Sequence, residues 1–229
     1  MAKNYAMVID LHRCVGCAAC DIACKSENNV REDFNWSNHI IETSGVFPNV
    51  RFRYIPVLCN HCEQAPCVEV CPTGAMYKNG DGMTLHNSDI CIGCVACKLA
   101  CPYDAIYYND RKPHARYRDA SSAIEGGTSS GREISETLNV PIPHYNPDRA
   151  KTYDGVRAEG VVEKCTFCDH RVAEGKLPWC VISCPTKARI FGDLNDADGE
   201  VRKVLSKYAP QVLQRNKGTR PKVFYVRDY

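Results

Sequence analysis

The sequence has no long hydrophobic run, little net charge and few large aliphatic residues. No segment approaches the roughly 18 consecutive apolar residues of a membrane-spanning helix. The 29 Lys and Arg residues nearly balance the 27 Asp and Glu residues, giving a net charge of +2, so strong nucleic-acid binding has little electrostatic support. Leu, Ile, Val and Phe make up only 48 of the 229 residues. A core of hydrocarbon side chains alone would therefore be small for a chain of this length.

The N-terminal residues also lack an export signal. Asp10 and Arg13 follow closely on residues 1–5, which leaves no room for an apolar h-region. We therefore expect no secretory signal and no membrane span in the chain itself. Any passage across a membrane would then be made together with a partner.

Cysteine is present in excess: it accounts for 16 residues, several times the usual frequency. Runs 1 and 3 read C-x2-C-x2-C-x3-C, run 2 reads C-x2-C-x4-C-x3-C and run 4 reads C-x2-C-x11-C-x3-C. A proline follows runs 2, 3 and 4. The runs are Cys14, Cys17, Cys20 and Cys24 (run 1); Cys59, Cys62, Cys67 and Cys71 (run 2); Cys91, Cys94, Cys97 and Cys101 (run 3); and Cys165, Cys168, Cys180 and Cys184 (run 4).

This spacing is typical of the cubane iron–sulfur clusters of bacterial ferredoxins. Three thiolates on a tight turn can surround three corners of one cluster, whereas the fourth, one helical turn further on, points towards a different cluster. The following proline redirects the chain and keeps this last thiolate aimed across the domain.

Disulfide bonds and zinc sites account for the cysteines less well. Disulfide-dense proteins are usually smaller, secreted and irregular in their cysteine spacing. Zinc ribbons use two C-x2-C pairs for each ion, and the later cysteines of each run would be wasted on zinc. Four runs of this kind in one chain favour iron–sulfur clusters.

The runs predict an α+β fold built from two bacterial-ferredoxin-like modules. Residues 55–110, with runs 2 and 3 and a hairpin turn at 79–82, are predicted to form one complete module. Residues 1–54 and 160–229, with runs 1 and 4, are predicted to form a split host module into which the first is inserted.

The long connection between runs 3 and 4 needs a separate explanation. Residues 111–159 contain a Ser- and Gly-rich part between Ser121 and Gly131 and are predicted to be an irregular insertion. A structureless connection of this length is uncommon unless it is functional or mobile. A flexible surface loop is one interpretation, and an arm that docks on a partner subunit is the one we favour. Strands are predicted at 6–10, 51–55, 105–108, 160–164, 188–191 and 223–226, and a short helix within 200–214.

With the four runs in place, the sequence resembles the four-cluster iron–sulfur (electron-transfer) subunits of molybdopterin oxidoreductases of the dimethyl-sulfoxide-reductase family. Such subunits serve polysulfide, dimethyl sulfoxide, nitrate and arsenate reductases and some formate dehydrogenases. The resemblance extends over residues 9–193, and Lys25, where a proline follows the other runs, also fits it. Among these subunits, those that serve arsenate- or polysulfide-type reductases and aromatic dehydroxylases are the ones that the sequence resembles most. The motifs that carry the resemblance are Cys14-Val15-Gly16-Cys17, Cys59-Asn60-His61-Cys62, Cys91-Ile92-Gly93-Cys94 and Lys164-Cys165-Thr166-Phe167-Cys168.

The resemblance implies four [4Fe–4S] clusters and a swapped set of metal ligands. It implies single-electron relay without a catalytic residue or any other cofactor site in this chain. The implied ligand sets are Cys14, Cys17, Cys20 with Cys184; Cys165, Cys168, Cys180 with Cys24; Cys59, Cys62, Cys67 with Cys101; and Cys91, Cys94, Cys97 with Cys71.

The resemblance also implies partners and a location. The main partner is a large molybdenum or tungsten bis-pterin catalytic subunit, and a membrane anchor subunit or a soluble electron donor is a further one. The expected location is the periplasmic side of the cell envelope, reached by export in the folded state on the Tat signal of the partner, with the cytoplasm as the alternative.

Two other functions remain open at this stage. A free-standing soluble polyferredoxin would carry electrons between unrelated enzymes, although it would not need the long insertion. An enzyme that does chemistry at a cluster would need an open iron site, and no run here lacks a cysteine.

Some residues within the runs could influence the clusters. Charged or polar candidates for tuning the reduction potential are Lys25, Lys98, Lys164, His61 and Arg171, each of which could equally be a solvated surface group. Tyr103, Phe167 and Trp179 are predicted to shield clusters from water. The seven histidines share no ligand spacing, and none is assigned to a metal.

Overall fold

Short strands and helices alternate with the cysteine runs in the computed structural model, which describes residues 2–113, 127–139 and 145–227. The strands are β1 (Tyr5–Asp10), β2 (Ser37–Val46), β3 (Asn49–Leu58), β4 (Met76–Lys78), β5 (Thr84–His86), β6 (Tyr107–Asn109), β7 (Val161–Glu163), β8 (Arg189–Asp193) and β9 (Val223–Val226). The helices are α1 (Ala19–Asn28), α2 (Pro66–Glu69), α3 (Ala96–Ala100), α4 (Gly131–Leu138), α5 (Asp169–Ala173), α6 (Trp179–Ile182) and α7 (Glu200–Lys207). This mixed content agrees with the predicted α+β class, and each predicted strand is present with small shifts of its ends.

Strand pairing connects each cysteine run to the next one and the last run to the first. The strand after each run pairs with the strand before the next one: β2 with β3, β4 with β5, and β6 with β7. After run 4, β8 returns antiparallel to β1, which precedes run 1. The strands at the two ends of the predicted inserted module, β3 and β6, thus pair with strands outside it. The predicted boundary between residues 54 and 55 falls inside β3.

The sheet with the order β8-β1-β9 supports the hydrocarbon core. Every residue of β1 is buried, and its side chains alternate between two faces, as a strand requires. Met7 and Ile9 pack into the large core that also contains cysteines of runs 1, 2 and 4. Ala6 and Val8 pack against Val201 of α7. The cysteines are therefore part of the core rather than an addition to it.

The short helix predicted within residues 200–214 is present as α7 (Glu200–Lys207). It ends at Lys207, shortly before Pro210, because proline and the residue before it are poorly compatible with a continuing helix. None of the helices in the described ranges has the length and the apolar character that a membrane crossing requires.

The insertion between runs 3 and 4 is partly helical and packs against its own chain. A capping box begins α4: Ser130 Oγ accepts from the Glu133 N–H at 3.2 Å, and the Glu133 carboxylate accepts from the Ser130 N–H at 2.7 Å. Further along, Asn146 exchanges two hydrogen bonds with Asn29 at the end of α1. The described part thus differs from a wholly irregular arm, while residues 114–126 and 140–144 lie outside the described residues.

The hairpin of β2 and β3 extends beyond the core. All residues from 40 to 52 are exposed on both faces of this two-stranded ribbon. Ile41 lies opposite Tyr54, and Thr43 lies opposite Phe52, so these four side chains share one face. At the base of the hairpin the ring of Tyr54 covers Gly16 of run 1.

The first C-x2-C turn of each run places the residue before its second cysteine in the left-handed region. The φ angles are 66° at Gly16, 43° at His61, 66° at Gly93 and 57° at Phe167. A Cβ atom on Gly93 would lie 2.0 Å from the carbonyl oxygen of Gly160, so only glycine fits there. In runs 2 and 4 the same position carries His61 and Phe167, whose rings stack on each other with 3.6 Å between their centroids.

Gly93 and Gly218 allow a matched test of this close approach. Gly218 has a φ of 68°, similar to that of Gly93, but no atom lies within 4 Å of an added Cβ. We expect Gly218→Ala to lower the free energy of unfolding by about 1 kcal/mol through backbone strain alone. Gly93→Ala adds a clash with backbone and should cost at least about 3 kcal/mol. Anaerobic chemical denaturation followed by circular dichroism measures both variants, and equal losses would contradict the expected clash.

Candidate metal centres

The sixteen cysteines gather into four groups, each drawn from two runs. Three groups each line a pocket, and in the fourth the thiol of Cys24 interacts electrostatically with three cysteines of run 4. These groups contain the same residues as the sets that the resemblance implies. We name them site 1 (Cys14, Cys17, Cys20, Cys184), site 2 (Cys59, Cys62, Cys67, Cys101), site 3 (Cys71, Cys91, Cys94, Cys97) and site 4 (Cys24, Cys165, Cys168, Cys180).

The three pockets have small, mostly apolar walls. Pro56 lines site 1, Ile106 lines site 2 and Met76 lines site 3. No disulfide joins any of the cysteines, all of which lie within the described residues. A donor set of four sulfur atoms in a compact apolar pocket fits an iron–sulfur cluster.

Burial keeps several of these thiols protonated in the absence of a metal. It raises the pKa of Cys62, Cys97 and Cys180 to about 11 and that of Cys67 to about 12. Because the thiolate is the form that ligates metals, a bound group has to displace these protons and supply the compensating positive charge.

Backbone and side-chain donors point at the sulfur atoms. The N–H of Met76 lies 3.4 Å from Cys71 Sγ, and the N–H of Ala188 lies 3.2 Å from Cys184 Sγ. At site 4, Asn28 Nδ2 lies 3.7 Å from Cys24 Sγ and 3.6 Å from Cys168 Sγ. Such hydrogen bonds stabilise negative charge on a ligating sulfur. Sequence reasoning missed Asn28, because one of its two sulfur contacts is with a distant part of the chain.

His39 at site 1 is a second residue that sequence reasoning missed. Its ring lines the pocket, with Nδ1 2.6 Å from the Asp21 carboxylate and Nε2 4.0 Å from Cys20 Sγ. Hydrogen bonding to Asp21 raises the pKa of His39 to about 11, so the ring is an imidazolium at neutral pH. The contacts of His39 with Asp21 and Cys20 depend on β2 folding back over α1, and no local sequence motif predicts them.

The five predicted tuning residues have different surroundings. Lys25 donates to three backbone carbonyls of the loop at 31–34, at 2.7–2.9 Å, and so fastens the end of α1. The guanidinium of Arg171 lies 4.5 Å from the ring centroid of Trp179, and Lys98 is partly exposed. His61 and Lys164 differ from these three, because both are fully buried.

The predicted shielding residues are buried to different degrees. Phe167 is fully buried against His61. Tyr103 lines the pocket of site 2, and its hydroxyl lies 2.6 Å from Thr219 Oγ1. Trp179 is only half-buried. Shielding of the clusters from water stays a prediction for all three aromatic rings.

Comparisons with known proteins agree with this donor set. A family model described as a 4Fe-4S dicluster domain matches residues 50–120 and 147–194. The chain is 48% identical over 224 residues to the arsenate respiratory reductase iron-sulfur subunit ArrB of Shewanella sp. (strain ANA-3), covering 97% of this chain and 96% of that protein. It is 33% identical over 229 residues to the B component of polysulfide reductase from Wolinella succinogenes, covering 99% of this chain and 95% of that protein. The B component of tetrathionate reductase from Salmonella typhimurium is 34% identical over 230 residues, covering 97% of this chain and 72% of that protein.

These relatives are iron–sulfur subunits of reductase complexes, and they transfer electrons rather than catalyse. The matches run over almost the whole chain, including all four cysteine runs. The chain therefore belongs to the iron–sulfur electron-transfer subunits of the dimethyl-sulfoxide-reductase family of molybdopterin oxidoreductases.

Proposed function

We propose that each of the four sites holds one [4Fe–4S] cluster through its four cysteines, and that the chain relays single electrons along them. The observation that carries this proposal is that every site has a complete set of four thiols. A complete set leaves no iron coordination position open to a substrate. In the same way, a structural zinc ion has four protein ligands, whereas a catalytic one keeps a position open. When bound, such clusters accept and release one electron at potentials between roughly −700 and +450 mV.

Contacts between the sites support a relay in the order 3, 2, 4, 1. Cys97 of site 3 packs in the same small core as Cys62 and Cys67 of site 2. The thiols of Cys59 in site 2 and Cys165 in site 4 interact electrostatically, as do those of Cys180 in site 4 and Cys20 in site 1. The chain therefore contributes fixed positions and a water-poor path for electrons.

The electrons pass between a catalytic subunit and a second redox partner. The named relatives are subunits of arsenate, polysulfide and tetrathionate reductases. On this basis the catalytic partner is a large molybdenum or tungsten bis-pterin subunit of the arsenate or polysulfide reductase type. At the other end, electrons are exchanged with a membrane- or quinone-linked subunit or a soluble carrier. The complex acts on the periplasmic side of the cell envelope, after export on the Tat signal of the catalytic partner.

The β2–β3 hairpin is the surface that we assign to the catalytic subunit. A two-stranded hairpin is only marginally stable by itself in water, and this one exposes Ile41 and Phe52 on one face and Phe47, 88% exposed, at its tip. Its base lies at site 1, because Pro56 lines that pocket and Tyr54 covers Gly16. A subunit seated on the hairpin would therefore lie next to site 1, at one end of the relay.

The number of clusters can be tested by iron analysis. Anaerobically purified protein should contain about sixteen irons and sixteen acid-labile sulfides per chain, and its reduced form should give the EPR spectrum of four interacting clusters. Finding zinc, or about eight irons, would refute the assignment of four clusters.

Removal of iron should unfold the chain. Cluster ligation contributes directly to the free energy of folding, and the aliphatic core is small. Treatment with a chelator and an oxidant should therefore abolish the near-UV and most of the far-UV circular dichroism of the native protein. An apoprotein that retains a cooperative thermal transition would be evidence against the four-site fold.

The hairpin assignment can be tested in cells that produce both subunits. The double variant Phe47→Ser, Phe52→Ser should reduce recovery of the catalytic subunit with this chain at least tenfold while leaving the iron content unchanged, because removing aromatic anchors weakens an interface. Leu99→Ser is the matched control, since Leu99 is 84% exposed on α3, within run 3. Equal recovery with the double variant and the control would overturn the hairpin assignment. Recovery of the unaltered chain only as a lone monomer would instead favour a free-standing polyferredoxin.

A further inference from the structure

Lys164 is the most unusual charged residue in the core. Only 1% of its surface is exposed, although lysine is almost never fully buried unless its charge is paired. Within the described residues, its ammonium forms no ion pair with a carboxylate and has only oxygen and sulfur acceptors of the chain. The positive charge therefore calls for another source of negative charge nearby.

The acceptors of Lys164 belong to two different sites. Its Nζ donates to the carbonyl oxygen of Cys165 at 2.8 Å and to that of Thr84, and it lies 3.6 Å from Cys59 Sγ. Cys59 is a member of site 2, Cys165 is a member of site 4, and Thr84 lines the pocket of site 2. The ammonium thus lies at the junction between the second and third sites of the relay.

Two buried rings lie beside this junction, since the Thr84 N–H donates to His61 Nδ1 at 3.2 Å. His61 and Phe167, from the C-x2-C turns of sites 2 and 4, are both fully buried and stack on each other. Burial strengthens an electrostatic interaction because the surroundings screen it less than water does. A reduced cluster carries one more negative charge than an oxidised one, so a fixed cation beside its ligand favours the reduced form.

We propose that Lys164 tunes the electron transfer between sites 2 and 4. Its ammonium raises the reduction potential at site 2, where it contacts a ligand sulfur, and to a smaller extent at site 4. It acts through a ligand rather than on a substrate, so it is a positioning residue and not a catalytic one. The inference rests on the proposed function in that it requires clusters at these sites.

Lys222 provides a matched control. It is as buried as Lys164, at 1%, but its Nζ donates to Asn4 Oδ1 at 3.2 Å and to the carbonyl of Gly82. Both acceptors are oxygen atoms outside the four cysteine groups. Lys222 interacts electrostatically with Cys62 of site 2 but donates no hydrogen bond to a ligand sulfur. Its replacement therefore reports the loss of a buried lysine with a weaker electrostatic effect on site 2.

The test is a potentiometric titration of the holoprotein followed by EPR. For Lys164→Met we expect a lower reduction potential at site 2. At a fixed solution potential, the ratio of oxidised to reduced cluster at this site should rise at least tenfold, which corresponds to a shift of about 59 mV for a one-electron couple. Sites 1 and 3 should keep their potentials, and Lys222→Met should lower the potential of site 2 by less than Lys164→Met does. An equal shift in the two variants would overturn the special role of Lys164. A Cys62→Ser variant, which alters the ligand set of site 2, identifies the EPR signal of that site.

The outcomes separate this inference from the proposed function. Unchanged potentials in a Lys164→Met protein that retains about sixteen irons would overturn the role of Lys164 and leave the relay intact. Too few irons in the unaltered protein would overturn the relay itself. If Lys164→Met loses a cluster, Lys164→Arg and Lys164→Gln replace it, because they retain a donor but differ in charge. Equal potentials at site 2 in these two variants would overturn the proposal.

Discussion

The meeting of cysteines from different runs is the constraint on which this fold depends. The strands that separate runs 2, 3 and 4 are only three residues long, and such short pairs have little stability of their own. The hydrocarbon core is confined to the sheet of β1, β8 and β9 with α7 and to the packing around the sites. Four groups of thiols, each of which requires two runs to meet, supply the long-range links that short strands cannot.

The exchange of cysteines between runs has a consequence for cooperativity. Cys24 of run 1 lies in site 4, and Cys184 of run 4 lies in site 1. Each of these two sites therefore combines cysteines from the beginning and the end of the chain. The pairing of β8 with β1 brings the same two parts together. No site is drawn from a local segment alone. This arrangement places four groups of cysteines in sequence within a small chain.

Buried cations are distributed along this arrangement. Lys164 lies between sites 2 and 4, and Arg189, 3% exposed, lies close to Cys180 and Cys20 of sites 4 and 1. His39 is a third cation at site 1. Each lies where ligated thiolates would concentrate negative charge, so these residues balance charge in the loaded protein. The formal net charge of +2 therefore describes only the polypeptide.

The sequence by itself determined the number and composition of the cysteine runs, the α+β class and the positions of the six predicted strands, but not that of β2. These are local properties, because cysteine spacing, alternation and turn residues such as Asn79–Gly82 act over a few positions. Tertiary structure decided the pairing of β3 and β6 outside their own module and the hydrogen bond between His39 and Asp21. It also decided which of five candidate residues is a buried cation at a junction: Lys164 meets Cys59 across a separation of 105 residues. Contacts of that kind arise only when distant segments are brought together, and no local pattern in the chain encodes them.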